Sequence, residues 1–322
     1  MPRHRALAVL GAWTGLAILA LALAWPVPIA LSRAAWPARA PGTALALWQA
    51  IALAGGLSMI GALLAFGLTP FENDLGVAST LLSGHLLDGP VPAQTGALQI
   101  VSLAGAVVLG AHIVLSLATT AVTTARERRR HRALIELLSS PVQGSPGTRM
   151  LDFPAPVAYC LPGVRSITVL TEGLVRVLDA AQLRAVLAHE RAHLRQYHHL
   201  VLLAFKAWNI ALPWFPIANR AEKAVATLVE MLADDDARRE VDDASLATAI
   251  AIVGSPWRDG DPATAPVVSD EIVPEADPET LGARVSRLIS PPGALSPAAR
   301  ALVLTAGVAL VAAPVAVLIT LF

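Results

Sequence analysis

The sequence predicts a mainly α-helical membrane protein with four transmembrane helices and an α+β domain inserted between the third and the fourth. Three observations predict this class. The 322 residues are 55% hydrophobic and 15% charged, with a mean hydropathy of +0.60, which is too apolar for an ordinary soluble globule. Four apolar stretches reach the roughly 20 residues that cross a bilayer. Between the last two stretches lies a segment of mixed polarity that is long enough for one small domain.

The predicted spans are Ala6–Leu31, Ala44–Thr69, Ala97–Ala121 and Ala301–Phe322. The first span is longer than the apolar core of a secretion signal and lacks a clear small-residue cleavage site before Trp25, so we interpret it as retained. These spans divide the chain into a three-span region at 1–125, a domain at 126–300 and a final span at 301–322.

The arginines predict the orientation in the membrane. Arg33 and Arg39 follow the first span, and the basic run Arg126–Arg132 follows the third. The connection between the second and third spans carries only acidic charges, at Glu72, Asp74 and Asp88. Because basic loops stay on the cytoplasmic side, we expect a multi-pass membrane protein with a cytoplasmic domain. Arg3 and Arg5 favour the opposite orientation and are outnumbered.

One run inside the domain, His189–His193, follows the pattern H-E-x-x-H. Asp179 with Gln182 forms a capping-box pattern, and apolar residues recur at helical spacing after it, so we predict a helix from about Ala180. Residues four apart on a helix lie one above the other, so both imidazoles can reach one metal ion with Glu190 beside them. The run therefore predicts two ligands of a zinc site.

A second predicted helix supplies the remaining ligand. A cap at Asn219 with Glu222 predicts its start, and it continues to about Arg239. Glu230 and Asp234 share one face of this helix, four residues apart. Packed antiparallel to the first helix, it would present Glu230 as the third zinc ligand. Asp234 would accept the free ring N–H of a ligating histidine and fix its tautomer.

The sequence thus predicts one Zn²⁺ ion on His189, His193 and Glu230, with a fourth position left for water, which is typical of catalytic sites. Glu190 would take a proton from that water and return it to a leaving amine. The other acidic side chains of the second helix compete as ligands, but we expect them on its solvated surface: Asp235, Asp236 and Glu240.

Several other polar groups near the site receive structural interpretations. The single cysteine, Cys160, excludes a Cys-based zinc site and is read as a small buried residue. His198 and His199 lie too far round the helix from His193 to share its metal face, and we place them behind the ligands or in solvent. No side chain stands out as an oxyanion donor, and structural roles are expected for the candidates Tyr159, Tyr197 and Arg238.

The rest of the domain gives weaker patterns. Pro156–Leu161 and Ser166–Thr171 predict two short strands beside the site. Leu200–Trp214 predicts a buried or interfacial helix, favoured over a bilayer crossing because it is short. Leu281–Ile289 predicts an amphipathic helix that meets anionic headgroups through Arg284 and Arg287. The Pro-rich, acidic stretch 256–278 predicts a flexible lead to the last span, with a mobile flap as the alternative.

Five stretches of the domain carry a family resemblance: AYCLPG, ITVLTEGLV, LRAVLAHERAHLRQYHHL, WFP and LVEMLADDDA. They resemble the BlaR/MecR-type integral membrane zinc metallopeptidases, which are related to HtpX-type proteases. The resemblance covers roughly 126–240 and implies a zincin-like (gluzincin) metalloprotease domain. It implies the same zinc ligands, a catalytic Glu190 and an Asp234 beside the ligands. Antibiotic-sensing members carry a penicillin-binding domain after the fourth span, whereas this chain stops at Phe322, so β-lactam sensing is not expected.

The leading hypothesis is an integral membrane zinc endopeptidase that cleaves a protein, either a transcriptional repressor or a membrane protein. Membrane lipids are further expected partners. Direct binding of nucleic acid is not expected, because the net charge is zero and no basic tract is interleaved with aromatic residues. The alternative is a catalytically silent signalling or scaffold protein that retains the zinc fold. A transporter is disfavoured because His112 is the one ionisable residue at the centre of a span.

Overall fold

A computed structural model describes residues 2–71, 96–163, 166–213, 218–255 and 277–321. The helices are α1 (Pro2–Ala24), α2 (Pro26–Arg33), α3 (Pro41–Gly67), α4 (Ala97–Leu138), α5 (Glu172–Val177), α6 (Ala180–Arg195), α7 (His198–Ala211), α8 (Ala218–Ala237), α9 (Asp243–Val253), α10 (Pro278–Ile289) and α11 (Pro297–Leu321). The strands are β1 (Ser139–Pro141), β2 (Thr148–Leu151), β3 (Ala158–Leu161) and β4 (Ile167–Thr171). Three parts of the sequence interpretation lie outside the described residues: the acidic connection 72–95, the WFP stretch and the segment 256–276.

Four helical segments are long and apolar enough to cross a membrane: Gly11–Arg33, Pro41–Gly67, Ala97–Leu138 and Pro297–Thr320. The chain is a multi-pass membrane protein, as the apolar stretches predicted. The third helix, α4, is longer than the predicted span and continues through the arginine run. Arginine and glutamate are good helix formers, and Arg132 pairs with Glu136 one turn later at 3.0 Å, so the charged run does not end the helix.

Residues 1–119, 205–224 and 295–322 form one compact unit. Within it, α1 and α11 both pack against α3. Gly56 of α3 permits a close approach, because a Cβ at this position would lie 2.9 Å from the ring of Trp208. His112 is packed against a neighbouring helix, with Nε2 2.9 Å from the carbonyl oxygen of Ala211. At 14 residues α7 is too short for a crossing, which agrees with the predicted buried or interfacial helix.

Residues 120–204 and 225–294 form the second unit, which contains a four-stranded sheet in the order β1-β2-β4-β3. The neighbours β1/β2 and β3/β4 are antiparallel, and β2/β4 are parallel. Both predicted strands, now β3 and β4, are confirmed. The sequence missed β1 and β2 because they are only three and four residues long, and Pro141 and Arg149 interrupt any apolar alternation.

Successive side chains of β4 point to opposite faces of the sheet and pack in two different hydrophobic clusters, as expected for a strand. Val169 packs in a cluster that includes Ile135 of α4 and Tyr159 of β3. Leu170 packs in the other cluster, which includes Ala188 of α6 together with residues of α9 and α10. The sheet therefore holds α6 from behind, and β3, at the sheet edge, is the strand that contacts this helix.

The predicted start of α6 is confirmed. Asp179 Oδ1 accepts hydrogen bonds from the backbone N–H groups of Ala181 and Gln182, both at 2.8 Å. The side chain of Gln182 accepts from the N–H of Asp179 at 3.0 Å and completes the capping box. This cap fixes the helix that carries the H-E-x-x-H run.

The predicted cap of α8 is wrong. The helix already includes Ala218, so Asn219 lies within it. Glu222 accepts a hydrogen bond from the side-chain amide of Asn209 at 2.6 Å instead of bonding back to the start of the helix. A tertiary partner thus replaces the local one that the sequence pattern assumes.

Gly173, in the first turn of α5, offers a test of the fold. A Cβ there would lie 1.9 Å from the carbonyl oxygen of Pro154. We expect Gly173→Ala to destabilise the protein by at least about 2 kcal/mol, because backbone atoms cannot yield as a side chain does. Gly282→Ala is the matched control. Nothing lies within 4 Å of a Cβ at Gly282, and this change should add about 0.5–1 kcal/mol of helix stability. Thermal denaturation in detergent measures both, and a Gly173→Ala variant as stable as wild type would contradict the close approach.

Candidate metal centre

Two helices of the second unit bring the predicted ligands together. His189 and His193 project from α6, and Glu230 projects from α8. The two Nε2 atoms are 3.1 Å apart. Glu230 Oε2 lies 3.3 Å from His189 Nε2, and Oε1 lies 3.4 Å from His193 Nε2. The structure thus places all three side chains around one point.

These separations fit a zinc ion. Zinc bonds of about 2.0–2.1 Å in a tetrahedral arrangement place neighbouring donor atoms about 3.3–3.4 Å apart. The observed range of 3.1–3.4 Å agrees with that requirement. Two imidazole nitrogens and one carboxylate oxygen also form a donor set that suits zinc. Within the described ranges, these residues form a group whose ligand atoms all lie within 4.8 Å of one another.

Asp234 supports His189 from behind. Its side chain is only 1% exposed, and Oδ1 lies 2.9 Å from Nδ1 of His189. The ring N–H does not point straight along this line, so a small ring rotation is needed to align a hydrogen bond. With Nδ1 directed at the carboxylate, Nε2 is the nitrogen that faces Glu230 and His193. Asp234 therefore lies beside a predicted ligand, and its role in fixing the tautomer of His189 stays a prediction.

The electrostatics of the site favour a cation beside His189. Burial disfavours its charged form, but the contacts with Asp234 and Glu230 outweigh burial and raise the pKa of His189 to about 10. Burial lowers the pKa of His193 to about 3, so this ring stays neutral, as a metal ligand must be. Two carboxylates that stabilise a proton on one imidazole would stabilise a metal ion at the same point.

The side chain of Glu190 extends from α6 to the edge strand β3. Its carboxylate accepts a hydrogen bond from the backbone N–H of Cys160 on β3. Burial, assisted by the charge of Glu230, raises the pKa of Glu190 to about 7 against the opposing effects of His189 and Arg284. The Cys160 thiol is 3.2 Å from Thr168 Oγ1, and burial raises its pKa to about 12, so it stays protonated.

Arg284 of α10 is a site residue that the sequence interpretation missed. Its guanidinium donates two hydrogen bonds to Asp234, at 2.8 and 2.9 Å, and contacts Glu230 Oε2 at 2.8 Å. Arg287, one turn later, donates from Nη2 to both carboxylate oxygens of Asp235 at 2.7 Å. The predicted amphipathic helix exists, but these two arginines bind carboxylates of α8 rather than lipid headgroups. Their partners lie about 50 residues away in sequence, and no local pattern signals such a pairing.

The other carboxylates of this region face arginines. Asp235 pairs with Arg287, as described above. Asp236 pairs with Arg195, and Glu240 contacts both Arg191 and Arg195 at 3.3 and 3.2 Å. Glu240 is 36% exposed and lies on the helix surface as expected, whereas Asp236 is only 12% exposed, because Arg195 covers it.

The three side chains considered as oxyanion donors have partners elsewhere or are exposed. The hydroxyl of Tyr159 lies 2.9 Å from Nε2 of His131, and Arg238 forms a bidentate pair with Asp243 at 2.6 Å. Tyr197 is 63% exposed. The structure does not bring these three residues to the metal centre.

Of the two expected places for His198, behind the ligands or in solvent, the structure shows the first. Helix α6 ends at Arg195, and His198 is 2% exposed with Nδ1 3.0 Å from Nδ1 of His193. His198 therefore contacts a predicted ligand directly.

The described part of the chain thus combines a candidate His-His-Glu metal site and a small mixed sheet with four helices that are long and apolar enough to cross a membrane. The family model of Peptidase family M48 matches residues 104–234, a range that contains every predicted ligand. This part of the chain, about two fifths of it, matches Peptidase family M48, and the protein is a metalloendopeptidase. Comparisons with curated proteins and with solved structures gave no match.

The two arginines of α10 form a matched pair for a stability test. Arg284→Gln leaves the carboxylate of Asp234, 1% exposed, without its bidentate cation and should cost about 3–5 kcal/mol. Arg287→Gln removes the partner of Asp235, which is 32% exposed, and should cost about 1 kcal/mol or less. Thermal denaturation of the two purified variants measures the difference. Equal losses would show that burial of Asp234 does not decide the contribution of Arg284.

Proposed function

We propose that the protein is an integral membrane zinc endopeptidase that hydrolyses peptide bonds of a protein substrate, either a transcriptional repressor or another membrane protein. One observation carries this proposal: the donor atoms of His189, His193 and Glu230 converge at 3.1–3.4 Å, with Glu190 on the same helix. The match to the Peptidase family M48 model supports the reaction class independently.

His189, His193 and Glu230 would hold one zinc ion. When bound, zinc acts as a Lewis acid that polarises a carbonyl group and lowers the pKa of water. Glu190 is the general base, and its raised pKa suits a group that accepts a proton near neutral pH and later releases it to the leaving amine. Asp234 and Arg284 keep the ligands in place, because each contacts a ligand through a largely buried charged group.

The position of β3 supports a peptide as substrate. This strand pairs with β4 at the edge of the sheet and contacts the helix that carries Glu190. Edge strands offer backbone groups to a further extended chain, which is a common way to bind peptides independently of their sequence. A peptide aligned along β3 would lie next to the general base.

We place the protein in a bacterial cell membrane with the protease domain, 126–300, on the cytoplasmic side. Arg33, Arg39 and the run Arg126–Arg132 support this orientation. The resemblance of the short motifs to BlaR/MecR-type peptidases supports a repressor as substrate, in which case cleavage would transmit a signal.

Glu190→Gln tests the proposed reaction. We expect this variant to bind about one zinc per chain, as wild type does, because Glu190 is not a ligand. It should lose proteolysis by several orders of magnitude, because the amide cannot accept the proton. Metal analysis and a peptide-cleavage assay on purified protein measure both properties. Glu230→Gln is the contrasting control and should lose the zinc as well.

Unchanged cleavage by Glu190→Gln would contradict the mechanism. Metal-loaded protein that cleaves no co-expressed protein, together with normal cell behaviour when Glu190 is replaced, would favour the silent scaffold. Comparing membrane and soluble proteomes of cells that express wild type and Glu190→Gln identifies the substrate, because an uncleaved substrate accumulates only with the variant.

The orientation has a separate test. With four spans and a cytoplasmic domain, the C-terminus lies outside the cytoplasm. A C-terminal alkaline phosphatase fusion should therefore be active, and a green fluorescent protein fusion should be dark. The same two reporters inserted after residue 255 should give the opposite signals. Identical signals at both sites would contradict the predicted topology.

A further inference from the structure

The turn between α6 and α7 directs His198 towards the metal ligand His193. Tyr197 adopts a left-handed backbone conformation, with φ of +52°, which is uncommon for a residue other than glycine. In an unbroken helix, His198 would lie about 140° around the axis from His193, on the opposite side. The left-handed residue follows the end of the helix and turns the chain back. The ring centroids of His193 and His198 are then 4.9 Å apart, and the two ring planes are almost perpendicular.

A chain of hydrogen bonds then runs from the ligand to the turn. Nδ1 of His198 lies 3.0 Å from Nδ1 of His193, and Nε2 of His198 lies 3.1 Å from Oε1 of Gln196. His198 is 2% exposed, so these contacts are shielded from water. Strained backbone that persists beside a functional group is often retained for that group.

The contacts allow one consistent assignment of protons. His193 must present a lone pair at Nε2 to act as a ligand, so its proton is on Nδ1 and is donated to His198. His198 therefore accepts at Nδ1 and carries its own proton on Nε2, which it donates to the amide oxygen of Gln196. Every polar ring atom in this chain has a partner.

We propose that His198 is a positioning residue that fixes the tautomer and ring orientation of the zinc ligand His193, and that the Tyr197 turn and Gln196 hold His198 in that role. This inference rests on the proposed function, because it assumes that His193 binds zinc. The two ligands then differ in their support: His189 is backed by the carboxylate of Asp234 and His193 by a neutral imidazole. Partners of this kind typically contribute 10- to 100-fold in metal affinity.

The experiment measures zinc affinity by competition with a chromogenic chelator, using the full chain in detergent. His198→Leu removes the acceptor and should weaken zinc binding by about 10- to 100-fold. His198→Asn places an amide oxygen near the position of Nδ1 and should bind zinc within a few-fold of wild type. His199→Leu, at the next position, is the matched control and should bind zinc as wild type does. The visible spectrum of the cobalt-substituted protein should change only in His198→Leu.

The thermal stability of each protein without metal separates a folding defect from an affinity effect. Wild-type zinc affinity and an unchanged cobalt spectrum in His198→Leu would overturn the proposal. If His198→Leu does not fold, Gln196→Leu decides: several-fold weaker binding supports the proposal, and wild-type affinity overturns it. If wild type itself binds no zinc, the proposed function fails along with the inference. Wild-type binding that is abolished by Glu230→Gln confines any failure to the role of His198.

Discussion

The buried carboxylate of Asp234 is the constraint on which the arrangement of the second unit depends. An ionised carboxylate removed from water needs compensation by positive charge and by hydrogen bonds. Here the compensation comes from two different helices, since His189 of α6 and Arg284 of α10 contact the two oxygens between them. These contacts join α6, α8 and α10 into one polar cluster, and the apolar face of α10 packs in the core beside it.

The same cluster prepares the site for a cation. Glu230 and Asp234 create a negative potential at the paired histidines, and Arg284 balances part of it from beside the ligands, with Nη2 3.4 Å from His189 Nε2 and Nη1 2.8 Å from Glu230 Oε2. A neutral His198 behind His193 adds no further charge. The balance suits a catalytic ion, because too many carboxylates around zinc would reduce its ability to polarise a substrate carbonyl.

Local sequence patterns predicted those parts of the fold that are fixed by local interactions. The capping box at Asp179 located α6, and the H-E-x-x-H spacing placed two rings on one face, because both depend on residues within one or two turns. Alternation and turn residues found β3 and β4 but not the shorter β1 and β2. The apolar stretches gave the four membrane helices because a bilayer imposes a minimum length.

The misses share a physical cause. Arg284 meets its carboxylates across 50 residues of sequence, and Glu222 exchanges a local cap for a tertiary bond to Asn209. Helical periodicity left His198 open between a place behind the ligands and one in solvent, because nothing in a tyrosine signals the left-handed backbone at Tyr197 that decides between the two. The pairing of His189 and His193 with Glu230 was predicted, whereas the side chains that hold them required the structure.

The position of Arg284 also determines when the site can be completed during synthesis. The ribosome makes α6 and α8 first, and α10 follows only about 40 residues after α8 ends. Until α10 has been made, Asp234 and Glu230 lack the guanidinium that compensates them, so the ion pairs that join α8 to α10 are among the last contacts of this unit to form.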